Sequence, residues 1–161
     1  MYKKIAIIFC FLLFSTWAYS QRKLFDTNNS FYPSVGLSLQ KHLFGEISLC
    51  YGSGNLVGGS CGSTDVFFPK IGSEFTFDNK NLIIGPKLSF EYVDEILGTR
   101  INIINYTNFK TQDWRVTPEI GISISAIIDI YYGYNIPLTS DRIIGVSGNR
   151  VSLTVNLPDT F

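Results

Sequence analysis

The chain is poor in the residues on which most enzyme chemistry rests. Its 161 residues hold one histidine, three cysteines and one methionine. A single imidazole excludes a multi-histidine metal centre, and no spacing of Cys, His, Asp and Glu matches a metal-ligand set. His42 sits beside Lys41 in a turn-like stretch with no adjacent serine, so it reads as a turn histidine rather than a base for a serine nucleophile. Charge is scarce as well. Only 16% of residues are Asp, Glu, Lys or Arg, and 13 bases balance 13 acids. That balance lacks the basic excess of a nucleic-acid binder. The 45% hydrophobic and 15% aromatic content excludes disorder. The length fits one domain.

The N-terminus carries the one long apolar run. Lys3 and Lys4 precede an uninterrupted stretch from Ile5 to Phe14, and Ala18-Tyr19-Ser20 supplies small residues at the positions that a signal peptidase reads. Ten apolar residues are short for a membrane helix, which needs about 20. No lipobox-like pattern precedes Cys10. Residues 1–20 are therefore expected to be a cleaved signal peptide, with 21–161 forming the exported domain. Two cysteines stay with that domain, Cys50 and Cys61. In an oxidising compartment they can pair across the Gly- and Ser-rich stretch between them. Two free thiols fit the sequence equally well, because Cys50 lies in a strand-like segment.

Past the leader, helical periodicity is absent and period-two alternation is nearly everywhere, the signature of strands. Eight runs appear, at about 32–40, 43–52, 66–77, 81–92, 98–107, 114–125, 128–137 and 149–157. Polar or glycine-rich segments, among them the turn-like stretch from Thr107 to Asp113, separate most of them. Between the sixth and seventh runs, near Ala126, the tip is apolar and only a tight turn can be inferred. Four segments, starting at Pro33, Pro69, Pro86 and Pro118, repeat the form Pro, polar, aliphatic, small, variable, polar, apolar. They are read as shared strand-entry chemistry.

Sorting each run by parity separates two faces. One is apolar along every run: Val35, Leu37 and Leu39; Ile47, Leu49 and Tyr51; Phe67 to Phe77 on alternate positions; and so on to Val151, Leu153 and Val155. It carries no charge. The other is rich in Gly and Ser and holds ten charges, five acidic (Glu46, Glu74, Glu91, Glu119, Asp129) and five basic (Lys70, Lys87, Arg100, Arg115, Arg150). A soluble barrel hides the apolar face, whereas a membrane barrel shows it to lipid. Three features favour the second arrangement. The polar face is thinner in charge than a solvated face. The apolar set is too bulky for an eight-stranded interior. Runs of nine to twelve residues suit tilted strands crossing hydrocarbon. Tyr51, Phe67, Phe77, Tyr92, Tyr132 and Tyr134 stand near run ends, where interfacial aromatics belong. Ile83, Ile104 and Tyr131 fall on the polar face and Ser73 on the apolar one. A bulge near Ile104 would account for one of these misfits.

The expected fold is all-β: a closed, antiparallel, up-and-down transmembrane barrel of about eight strands. In pattern, over the whole exported chain, it resembles the small eight-stranded outer-membrane barrels of the OmpA- and OmpX-like group. Chains of that group often end on an aromatic residue, as this one does at Phe161, although Pro158 and Asp159 depart from the usual terminal alternation. Gln21 directly after the leader is similar to exported proteins of the Bacteroidota. The resemblance implies residence in the outer membrane, lipid and the barrel-insertion machinery as partners, and a monomer. The ten facing charges are expected to plug the lumen as ion pairs. No nucleic acid, cofactor or metal is expected, and the role is expected to be structural or surface-interactive rather than enzymatic. A narrow solute pore and a soluble, exported, lipocalin-like binding barrel are the alternatives.

Overall fold

A computed structural model describes residues 30–54, 65–78, 81–94, 96–124 and 127–157. These form nine strands: β1 (Ser30–Leu39), β2 (Leu43–Gly54), β3 (Asp65–Asp78), β4 (Asn81–Asp94), β5 (Leu97–Thr107), β6 (Gln112–Ile124), β7 (Ile128–Tyr134), β8 (Ile136–Pro137) and β9 (Asn149–Asn156). Each long strand pairs antiparallel with its neighbours in sequence, β7 pairs with β9, and β9 closes on β1. The result is a closed eight-stranded barrel with one short extra strand. That extra strand, β8, keeps the register of β7 against β6, so it prolongs β7 beyond Asn135. The expected signal peptide, Cys61 and Phe161 lie outside the described residues.

The registers fix the shape of the barrel. A line of paired residues starts at Leu39 and runs through Val151, Tyr132, Ile120, Thr99, Tyr92, Phe67 and Ser53. It returns to β1 one position before Ser30, the partner of Gly52, and so ten residues from its start. For eight strands this stagger implies a tilt of roughly 40° and a backbone radius of about 8 Å. An interior of that size is just wide enough for side chains to fill.

Alternation then decides what fills it. The charged and small face points inward on all the long strands, and the apolar face points outward. The four prolines of the repeated segment all face outward. They stand within the strands rather than at their entries, because residues such as Phe31–Tyr32 and Phe67–Phe68 extend pairing beyond them. No bulge occurs at Ile104. The offset that pairs Ile84 with Thr107 also pairs Lys87 with Ile104, so Ile104 points into the lumen in its own right.

Glycines make room where luminal bulk is greatest. A Cβ on Gly98 would lie 2.0 Å from the Tyr131 hydroxyl, and one on Gly85 2.8 Å from the Tyr106 ring. At Gly121 the obstacle is backbone: a Cβ there would lie 1.9 Å from the Ile130 carbonyl oxygen. By contrast, a Cβ on outward-facing Gly45 meets only the end of the Phe75 ring, which can swing aside. Gly121→Ala is therefore expected to lower unfolding free energy by about 1–3 kcal/mol, and Gly45→Ala to change it by less than about 0.5 kcal/mol. Urea titration of the refolded variants measures both.

Candidate functional site

The lumen is built in three layers. The middle layer is ionic. It forms one chain of alternating charge in the order Glu46, Lys87, Glu74, Arg150, Glu119, Arg100, Glu91, Lys70, Asp129. Lys87 bridges Glu46 and Glu74, the latter at 3.1 Å. Arg150 lies 2.8 Å from both Glu74 and Glu119. Arg100 contacts Glu119 and lies 3.6 Å from Glu91. Lys70 lies 2.9 Å from Glu91 and 3.9 Å from Asp129. All nine side chains are buried.

Strand register explains why these particular residues meet. Glu91, Arg100 and Glu119 stand directly opposite one another across β4, β5 and β6. Gly133 is the next residue in that row, and Arg150 follows it. Because Gly133 has no side chain, Glu119 and Arg150 can bridge over it; a Cβ there would lie 2.4 Å from Glu119 Cγ. Glu46 and Glu74 also stand directly opposite one another. Two like charges in that position repel, and Lys87, reaching both carboxylates, offsets the repulsion. Hydroxyls and amides take up some of the remaining donors and acceptors, while Glu46 Oε2 and Glu91 Oε1 have no hydrogen-bond partner among the described residues. Arg100 donates to Ser152 (2.7 Å) and Thr154 (3.2 Å). The Tyr106 hydroxyl donates to Glu74 (2.8 Å), while Ser123 and Asn156 donate to Asp129.

Arg115 lies outside this chain. It is buried, and its guanidinium pairs at 2.6 Å with Asp113, two residues back on the same face. The ten residues expected in the network are thus all luminal. Nine of them join, and the tenth pairs with an acid in a stretch that the sequence reads as a turn. Cys50 carries a buried free thiol 3.9 Å from Asn156 Oδ1. His42 lies in the β1–β2 turn. Among the described residues, no group of three or more His, Cys, Asp and Glu could hold a metal ion.

Apolar layers lie on both sides of the ionic one. At the end bearing Ser30 and Asn156, here the terminal end, Tyr32, Cys50, Phe68 and Val93 cluster inside the wall. At the opposite, or loop, end the cluster is Phe44, Ile83, Ile104 and Tyr106, completed by Ile143 and Val146 from the segment that joins β8 to β9. That segment folds back into the barrel mouth. The Asp113 carboxylate accepts the Ile143 N–H at 3.0 Å, and Arg115 and Asn135 both donate to the Ser147 carbonyl. Sequence alternation detects Ile83, Ile104 and Tyr131 only as misfits on a polar face. The inward turn of Ile143 and Val146 leaves no periodic trace.

The molecule is thus a closed eight-stranded antiparallel barrel with inverted burial, charged within and apolar without. No protein-family model, curated protein or solved structure matches the chain.

Removing one partner from a buried ion pair strands the other. Arg150→Met, which leaves Glu74 and Glu119 short of a cation, is expected to lower stability by about 3–5 kcal/mol. Ser89→Ala removes a buried hydroxyl that has no hydrogen-bond partner among the described residues, and is expected to cost less than about 0.5 kcal/mol. The difference in urea midpoint between the two variants is the measurement.

Proposed function

We propose that the protein is a small outer-membrane barrel, monomeric and closed to solutes, whose role is structural or surface-interactive rather than catalytic. One observation carries this reading: on every long strand the outward face is apolar along its length, and the described strand charges, apart from Asp94 at the end of β4, face inward. Phe31, Leu37, Ile47, Ile71, Phe90, Ile101, Ile120, Ile130 and Leu153 are all exposed on the outer wall. Water would penalise such a surface, since large exposed apolar patches are rare on soluble monomers. Hydrocarbon would not. Closure supports the same reading, because in lipid every backbone group must be paired within the protein. At a tilt of roughly 40°, about ten residues of strand cover about 25 Å of height, which is the span of a membrane barrel's apolar band.

Aromatic residues mark both rims. Phe31 pairs with Tyr51 and Phe67 with Tyr92 toward the terminal end. Phe77, Trp114 and Tyr134 stand toward the loop end. Loop tips there offer a surface for contact. Phe109, at φ 65° and 74% exposed, projects from a turn held by the Asn108 side chain. A bulky residue in that backbone region is strained, which accords with a functional tip. Lipid and the barrel-insertion machinery are the partners this reading requires.

The two apolar layers work against the solute-pore alternative, since a water path would have to cross both. The charged interior works against a lipocalin-like binding barrel, which keeps apolar side chains inside. Fractionation tests the membrane assignment. The protein should require detergent for extraction and run faster on gels unheated than boiled, whereas recovery in the soluble fraction without detergent overturns it. In planar bilayers the folded protein should give no conductance steps, and regular single-channel steps would overturn the closed lumen.

A further inference from the structure

The charges of the lumen do not balance. Besides the nine residues of the ionic chain, the buried charges among the described residues are Asp113 and Arg115, which cancel each other. The nine comprise five acids and four bases, so the chain begins and ends on an acid. With every group ionised it carries one negative charge too many. A buried charge without a partner is costly, and such a site neutralises it where it can. Apolar layers on both sides leave counterions little access to this one.

Distances place the surplus at the Asp129 end. Glu46 and Glu119 touch Lys87 and Arg100, while Glu74 and Glu91 lie 2.8 Å from Arg150 and 2.9 Å from Lys70. The one base near Asp129 is Lys70 at 3.9 Å, and that ammonium is turned to Glu91 and donates to Asn156 Oδ1 at 3.1 Å. The Asp129 oxygens meet neutral groups instead, Ser123 of β6 at 2.6 Å and Asn156 of β9 at 2.9 Å. Around them stand Glu91 of β4, Arg100 of β5, the phenols of Tyr32 on β1 and Tyr131 on β7, and, behind Asn156, the Cys50 thiol of β2. Tyr131 lies across the facing glycines Gly121 and Gly98, and the next residue in that row is Val93, two positions from Glu91. The Tyr131 and Tyr32 hydroxyls and Glu91 Oε1 are buried with no hydrogen-bond partner among the described residues. This half of the lumen is thus rich in oxygen and short of positive charge.

We propose that the folded barrel binds one proton on Asp129, which neutralises the ionic layer and makes the terminal end of the lumen responsive to pH. With that proton in place Lys70 belongs wholly to Glu91, and four acids face four bases along the chain. The 2.6 Å between the Ser123 and Asp129 oxygens suits a hydrogen bond whichever of the two supplies the proton. Without it, a bare carboxylate faces Glu91 and the apolar layer of Tyr32, Phe68 and Val93. Release of the proton therefore loosens this end of the barrel. The charge count belongs to the interior and holds whatever surrounds the outer wall.

The test compares the refolded native protein with Asp129→Asn, whose amide keeps the shape of the carboxyl group and cannot ionise. An aspartate in the unfolded chain has released its proton by about pH 5. Unfolding the native barrel then releases one proton, so its urea midpoint should fall as pH rises from about 5 to about 8. In Asp129→Asn that fall should vanish, and the variant should match the native protein at the acid end and exceed it at the alkaline end. Titration of His42 is common to both and cancels. Infrared difference spectra at neutral pH give a direct reading: the native protein should show the carbonyl stretch of a protonated carboxyl group that Asp129→Asn lacks. Glu91→Gln frees Lys70 for Asp129 and should remove the same band with Asp129 still present. Equal pH dependence in native and Asp129→Asn proteins, or no difference band, overturns the proposal. So does a loss of stability in Asp129→Asn at every pH, the result expected of a severed ion pair. Heat-modifiable gel mobility checks folding, and if Asp129→Asn does not fold, the band in native against Glu91→Gln protein decides.

Discussion

The structure depends on keeping charge paired inside a wall whose outer surface is apolar. Isolated charges in so narrow an interior would be costly to desolvate, and only close partners offset that cost. The chain from Glu46 to Asp129 meets this requirement by alternation. Every base in it touches two acids, so that Lys87, Arg150, Arg100 and Lys70 each join carboxylates from different strands. The network thereby ties β2, β3, β4, β5, β6, β7 and β9 to one another across the lumen, independently of the backbone ladders. Arrangements with a slipped register would break it, because a shift of one residue sends every luminal side chain to the outer face.

Much of this was legible in the sequence, for a simple reason. Strand side chains alternate with period two, and a barrel this narrow leaves little latitude for which side is which. Parity alone sorted Glu46, Glu74, Lys87 and Arg150 from Leu49, Ile71, Leu88 and Val151, and burial follows that division. Partner choice was harder to read. It depends on register between strands distant in sequence, as when Gly133 lets Arg150 reach Glu119. The pairing of Arg115 with Asp113 was within reach, since the two share a face two residues apart. The turn-like composition of Thr107 to Asp113 concealed it.

The apolar layers were legible only as exceptions. Ile83 and Ile104 broke the polar alternation, and a bulge offered a local explanation. The constant register of β4 against β5 removes that explanation. Both residues belong to a seal that Phe44 and Tyr106 share and that a loop completes. Loop packing of this kind follows from tertiary contacts alone, so no periodicity announces Ile143 or Val146.

Inverted burial is the central claim, and collision with paramagnetic relaxers measures it directly. Nitroxide labels at one outward position on each of seven strands (Leu49, Ile71, Phe90, Ile101, Ile120, Ile130 and Leu153) leave the lumen untouched. In reconstituted vesicles, all seven should collide more often with lipid-soluble oxygen than with a water-soluble nickel chelate. Preferential collision with the nickel chelate at these positions would place the apolar wall in water and contradict the account.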